Sequence, residues 1–213
     1  MRFLPYILAG VLSISFVGLK LYREVPMGNK IYADLSSLNK LLETPLVGST
    51  ADSYYYFISA YAYYKNFLPV LEMDGGKYFV SFRFLSSWVF VPFMWLFKYH
   101  FLLAYIIFFT FAVMLLFAFL LEKLGVKTQI IFLMLFLISP IVFYHIPRLM
   151  LECPTAALIF LFLILFFKGR FGLSLLPLSI AGLIRGEMAA ICLIFGIYAL
   201  LKTKKTVFFS TSP

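Results

Sequence analysis

From Phe101 to Leu121 the chain carries no charged side chain, and its only polar members are Tyr105 and Thr110. A run of that length matches the ~20 apolar residues that a helix needs to cross the hydrocarbon of a bilayer. The alternative home, the core of a soluble domain, needs polar surface elsewhere to cover it. Only 13% of the residues are charged and 63% are hydrophobic, with a mean hydropathy of +1.00, whereas a soluble domain is about 25% charged. Six further apolar stretches occur at 3–19, 78–97, 130–144, 154–167, 171–184 and 188–201. Several are short for a span, and flanking aromatic residues, snorkelling and local thinning make up the length. The expected fold is an all-α integral membrane protein: one transmembrane domain over 1–213, a polytopic bundle of about six to seven helices.

The loops give the expected orientation. Lys123 and Lys127, then Lys168 and Arg170, then the three lysines of 202–205 are separated from one another by two crossings each, so they share a side. By the positive-inside rule that side is the cytoplasm. The intervening loops, 145–152 and 185–187, mix acids with bases and face out. The net charge of +9 follows from these turns; it forms no stripe of the kind that binds nucleic acid. Membrane insertion is expected at a prokaryotic plasma membrane in preference to the endoplasmic reticulum.

Residues 20–77 form the largest polar stretch, an outer-face loop in which acids and bases balance. Pro26, Pro45, Gly48, Pro69 and the pair Gly75–Gly76 divide it into short pieces. Between two of these breaks, residues 50–66 are expected to form a helix capped by Ser49 or Thr50, with Asp52 in its first turn near the positive end of the dipole. Its six tyrosines suit the headgroup level. The stretch 78–97 contains Arg83, Ser86, Ser87 and Pro92 and is expected to be interfacial or re-entrant. If it spans instead, the amino terminus lies outside.

Few residues carry chemistry. Asp52 suits a general base or a metal-binding carboxylate, with helix capping as the plainer role. Arg148 and Glu152 stand four apart and would share a helical face as an ion pair. Ionisable groups so near hydrocarbon are costly, and that cost favours function. Arg185, Gly186 and Glu187 form a second charged turn, functional or anchoring. Arg83 can bind a lipid phosphate bidentately or snorkel. His145 lacks a second metal ligand nearby, and Cys153 and Cys192 read as inert buried thiols. In the expected topology all these acids and guanidiniums meet at the outer interface.

The order of these features resembles the class C (GT-C) membrane glycosyltransferases, including the dolichyl-phosphate-mannose-protein mannosyltransferase type. Asp52-Ser53-Tyr54-Tyr55-Tyr56 is similar to the aspartate and aromatics that open that family's outer interfacial helix. Phe82-Arg83-Phe84-Leu85 with Pro92 looks like its second interfacial helix. Ser139-Pro140 leading to Arg148 and Glu152-Cys153-Pro154, and then Ile184-Arg185-Gly186-Glu187, resemble the later outer turns. The resemblance implies hexosyl transfer from a polyprenyl-phosphate donor. In that scheme Asp52 and Glu152 are catalytic, Arg83, Arg148, Arg185 and Glu187 hold substrate or phosphate, and Asp52 is a ligand for a divalent metal, Mg or Mn. Two departures stand out: family members are usually longer, and Ser53 follows Asp52 where the family has a paired acid. A truncated member is therefore expected. The alternatives are a non-catalytic subunit that keeps the fold and binds a partner membrane subunit, and a transporter component.

Overall fold

The computed structural model describes residues 3–43, 45–47, 51–67, 70–73, 76–79, 84–139, 151–186, 190–198 and 201; for 51–54, 70–73, 76–79, 84 and 85 it describes the backbone alone. The architecture is mainly helical. Helix α1 spans Leu4–Glu24, α2 Leu38–Glu43, α3 Ala51–Asn66, α4 Phe84–Trp88, α5 Val91–Phe97, α6 Phe101–Leu120, α7 Val126–Ile138, α8 Glu152–Phe167 and α9 Phe171–Ile184. Residues 190–198 form a further helical segment, α10.

The all-α expectation needs one correction. Strands β1 (Val70–Met73) and β2 (Gly76–Phe79) pair antiparallel, Val70 opposite Phe79 and Met73 opposite Gly76. That register leaves a two-residue connection, Asp74-Gly75 in the sequence, the dipeptide that hairpins favour most strongly. The stretch 78–97 is not one helix either. It is cut into the end of β2, then α4 and α5, and a 3-10 turn at Lys98–His100 leads into α6.

The apolar helices pack side by side, α1 against α6 and α7, α6 against α8, and α8 against α9, consecutive ones running antiparallel. Side-chain contacts fix which ends coincide. Tyr6, near the start of α1, lies 5.2 Å from the ring of Phe119 at the end of α6, and the Lys168 ammonium lies 5.4 Å from the same ring. Gln129, buried in the first turn of α7, donates to the Ala118 carbonyl at 3.4 Å. The first turn of α1, the 121–125 turn and the 168–170 turn therefore share one end of the bundle. At the other end Leu21 of α1 faces Leu102, Leu103 and Ile106 of α6 around a small cavity, with Lys30 at its edge.

Among the described residues, two segments, Leu4–Glu24 and Ser86–Leu120, are long and apolar enough to cross a membrane. At 13, 16 and 14 residues, α7, α8 and α9 rise only about 20–24 Å at 1.5 Å per residue. Two hydroxyls inside the apolar helices turn back on their own backbone. Ser13 donates to the Ala9 carbonyl and Thr155 to that of Leu151, each at 2.7 Å, as helical Ser and Thr commonly do. Their outward faces stay apolar: Ile107, Phe108, Ile131, Leu135, Leu173 and Leu176 are all exposed.

Candidate functional site

The turn between α8 and α9 explains how the site assembles. Gly169 adopts φ 73°, its N–H donates to the Phe166 carbonyl, and the Arg170 N–H reaches back to Leu165 at 2.9 Å. This is a Schellman closure, and its left-handed position suits glycine. The chain then reverses, and α9 climbs beside α8. Glu152 lies 17 residues before Gly169 and Arg185 lies 16 after it, so two helices of equal rise bring the pair level. Arg185 Nη1 donates to Glu152 Oε1 at 2.7 Å, with both side chains a quarter to a third exposed. Glu152 also stands in the first turn of α8, where the helix dipole favours a carboxylate.

The second carboxylate oxygen, Oε2, is buried and accepts no hydrogen bond among the described residues. A buried acceptor left unmade costs on the order of 1–3 kcal/mol, so a donor that reaches this oxygen gains by it.

Helix α4 braces the site from the side. The Ser86 hydroxyl, fully buried, donates to the Ile184 carbonyl at 2.6 Å and so closes the last turn of α9 just before Arg185. Above it, α3 packs on α4 and α5. Phe57 of α3 is fully buried and meets Phe90 and Phe101 edge-on at 5.3 and 6.0 Å. The same apolar cluster contains Leu151 and Ile184, the neighbours of Glu152 and Arg185. Tyr61, one turn beyond Phe57, donates from its hydroxyl to the Ser36 carbonyl at 3.5 Å; burial, with smaller contributions from Tyr64 and Asp34, pushes its pKa up.

The residues expected from sequence fare differently. Glu152 and Arg185 are brought together. Asp52 lies in the first turn of α3, on the helix that shares the ion pair's apolar cluster, and its backbone alone is described. Arg83, Arg148, Glu187 and His145 lie outside the described residues. The described partner of Glu152 is therefore Arg185, a pairing that sequence reasoning missed by looking four residues back instead of across the hairpin.

The side chain of Asp52, the expected metal ligand, lies outside the described residues. No group of three or more His, Cys, Asp or Glu side chains converges among the described residues. The described acid of the site, Glu152, is already bonded to a guanidinium that would repel a cation. Comparison with models of protein families, with characterised proteins and with solved structures finds no match to the chain.

Proposed function

We propose that this chain is a multi-span membrane protein that transfers a sugar from a polyprenyl-phosphate donor to an acceptor at the bilayer face opposite its lysine-rich turns. The observation that carries the reading is the Glu152–Arg185 pair with its unpartnered carboxylate oxygen. It stands at the end of the bundle where α3, with Asp52 in its first turn, packs against the same cluster. The opposite end, with Lys123, Lys127, Lys168 and Arg170 in or beside its turns, agrees with a cytosolic face. The short helices α7 to α9 cross by local thinning and by flanking aromatic and basic residues.

In this scheme the acceptor hydroxyl attacks the anomeric carbon and gives its proton to Asp52. The bond from that carbon to the phosphate oxygen breaks, and the polyprenyl phosphate leaves with the electron pair. Arg185, with Arg83 and Arg148 in the roles that the resemblance assigns them, steadies the phosphate, and Glu187 helps to hold the sugar. Glu152 Oε2 accepts a hydroxyl from sugar or acceptor and sets its orientation.

The test uses membranes carrying the full chain, supplied with radiolabelled polyprenyl-phosphate mannose or glucose. Asp52→Asn should cut transfer by roughly 10²-fold or more, the usual contribution of a positioned base, and Glu152→Gln by less. Transfer equal to wild type in Asp52→Asn overturns the catalytic role and leaves a non-catalytic subunit as the better account.

A further inference from the structure

Beyond the ion pair, the largest feature unexplained by packing lies where α3 and α5 end. Phe67, Trp95, Leu96, Phe97 and Tyr99 are all exposed, Leu96 at 76% and Phe67 at 68%. Phe67 follows α3, and Trp95 to Tyr99 stand in the first part of the Ser86–Leu120 segment, where α5 ends and before α6 begins. Contiguous apolar surface of this kind marks an interaction site. Phe67 and Lys98 are also the described non-glycine residues with positive φ, 55° and 45°. Bulky side chains rarely hold that conformation; here it displays Phe67 outward against Trp95, ring centres 5.3 Å apart.

Three observations identify what covers the patch. First, it is continuous with the lateral wall of the bundle. Phe97 lies near Phe93, which meets Phe108 edge-on at 5.6 Å, and Phe108 is an exposed residue of α6. Second, two of the residues, Trp95 and Tyr99, carry the amphipathic rings found where water meets acyl chains. Third, exposed Lys65, Lys98 and His100 border the patch, at the position where phosphates would stand if the rings point into the leaflet.

We infer that the Phe67–Trp95–Tyr99 surface is immersed in the outer lipid leaflet and sets the height of α3 relative to the phospholipid phosphates. The mechanical link is a chain of rings. Trp95 meets Trp88 edge-on at 6.1 Å, and Trp88 lies 5.8 Å from the buried Tyr63 of α3. A leaflet that fixes Trp95 therefore fixes the helix that carries Asp52. Depth follows the behaviour of interfacial helices, whose apolar faces sink roughly 5–10 Å into the headgroup and acyl boundary. The inference rests on the membrane reading proposed above.

The chain has two tryptophans, Trp88 and Trp95, which makes the test direct. The full-length Trp88→Phe variant, with Trp95 as its single reporter, is reconstituted into vesicles of phosphatidylcholine and phosphatidylglycerol. Bromine is carried either near the carboxyl end or near the methyl end of the acyl chains. The expected result is loss of most Trp95 emission with the shallow bromine, clearly less with the deep one, and little quenching by aqueous iodide. Should Trp88→Phe fold poorly, the difference in emission between wild type and Trp95→Phe gives the same quantity. Strong iodide quenching without bromine quenching overturns the inference. So does emission shielded from both that changes with protein-to-lipid ratio, which would mean a second protein covers the patch. Flotation separates the two levels of failure. A chain that does not float with the vesicles refutes the membrane reading itself, whereas a floating chain with Trp95 in water refutes immersion alone.

Discussion

The two ends of the helical bundle are built on different plans. At one end the chain reverses twice within a few residues, through 121–125 and 168–170, and the contacts there are modest: a lysine over Phe119, a glutamine on the last carbonyls of α6. At the other end the chain inserts more than seventy residues between α1 and α6, and folds them into α2, α3, the hairpin and the short helices α4 and α5. That end holds the Glu152–Arg185 pair, the Ser86 bond to α9 and most of the buried tyrosines. Short turns suffice to connect helices. The proposed chemistry sits at the end where the chain orders this long segment at a large entropic cost.

The sharpest way to break this contrast is to ask whether the two ends face different compartments. Gly125 has open space around its missing Cβ and Lys40 is exposed, so cysteine is tolerated at both. A membrane-impermeant maleimide should label Lys40→Cys in intact cells and Gly125→Cys only after permeabilisation, an all-or-none difference. Labelling of both from one side would refute the crossing pattern.

Next in size is Phe57→Ala. Removing a fully buried ring between Phe90 and Phe101 should cost about 3–5 kcal/mol of the packing at that end. Limited trypsin digestion then reads where the loss falls. Cleavage after Lys40 and Lys65 should accelerate while cleavage after Lys123 and Lys168 stays as in wild type. Equal acceleration at all four would mean that the two ends unfold as one unit and that the contrast is only geometrical.

The same contrast governs what was legible in the sequence. The apolar run 101–121 became α6 at Phe101–Leu120 and 171–184 became α9 with both ends as expected, because charge-free runs have no competing structure. Helix α1 outlasts its apolar run and reaches Glu24, where Lys20 and Glu24 pair one turn apart. Helix α7 begins at Val126, ahead of the expected 130, because Gln129 satisfies itself on α6 and tolerates burial. Helix α3 matches its expected 50–66 closely. What stayed hidden is tertiary. The hairpin after α3 looked like a pair of glycine breaks, and 78–97 looked like one segment because composition does not reveal where a chain turns. The Glu152 partner lay thirty-three positions away, beyond any local spacing rule.

The smallest expected effect concerns the entry to the elaborate end. Asp34 Oδ1 accepts from the Ser36 N–H at 2.8 Å, and Lys40 stands 3.7 Å from its other oxygen. The hydroxyl and amide of Ser36 hold the Asp34 carboxyl below the ordinary aspartate value of 3.8, with Lys40 adding a smaller pull. Because the folded pKa is depressed, the turn's contribution is whole above that ordinary value and is lost as pH falls through the lower native one. Asp34 is partly exposed, so the loss is local and screened by solvent. Its trace should appear in exchange of the Ser36 amide, which loses protection in strong acid and behaves at neutral pH in Asp34→Asn much as in wild type, since the amide oxygen still accepts. Tyr61, whose hydroxyl bonds the Ser36 carbonyl, spans from this turn to α3. If acid loosened Asp34 and α3 together, the turn would be part of the scaffold that positions Asp52; exchange confined to Ser36 would leave it a surface closure only.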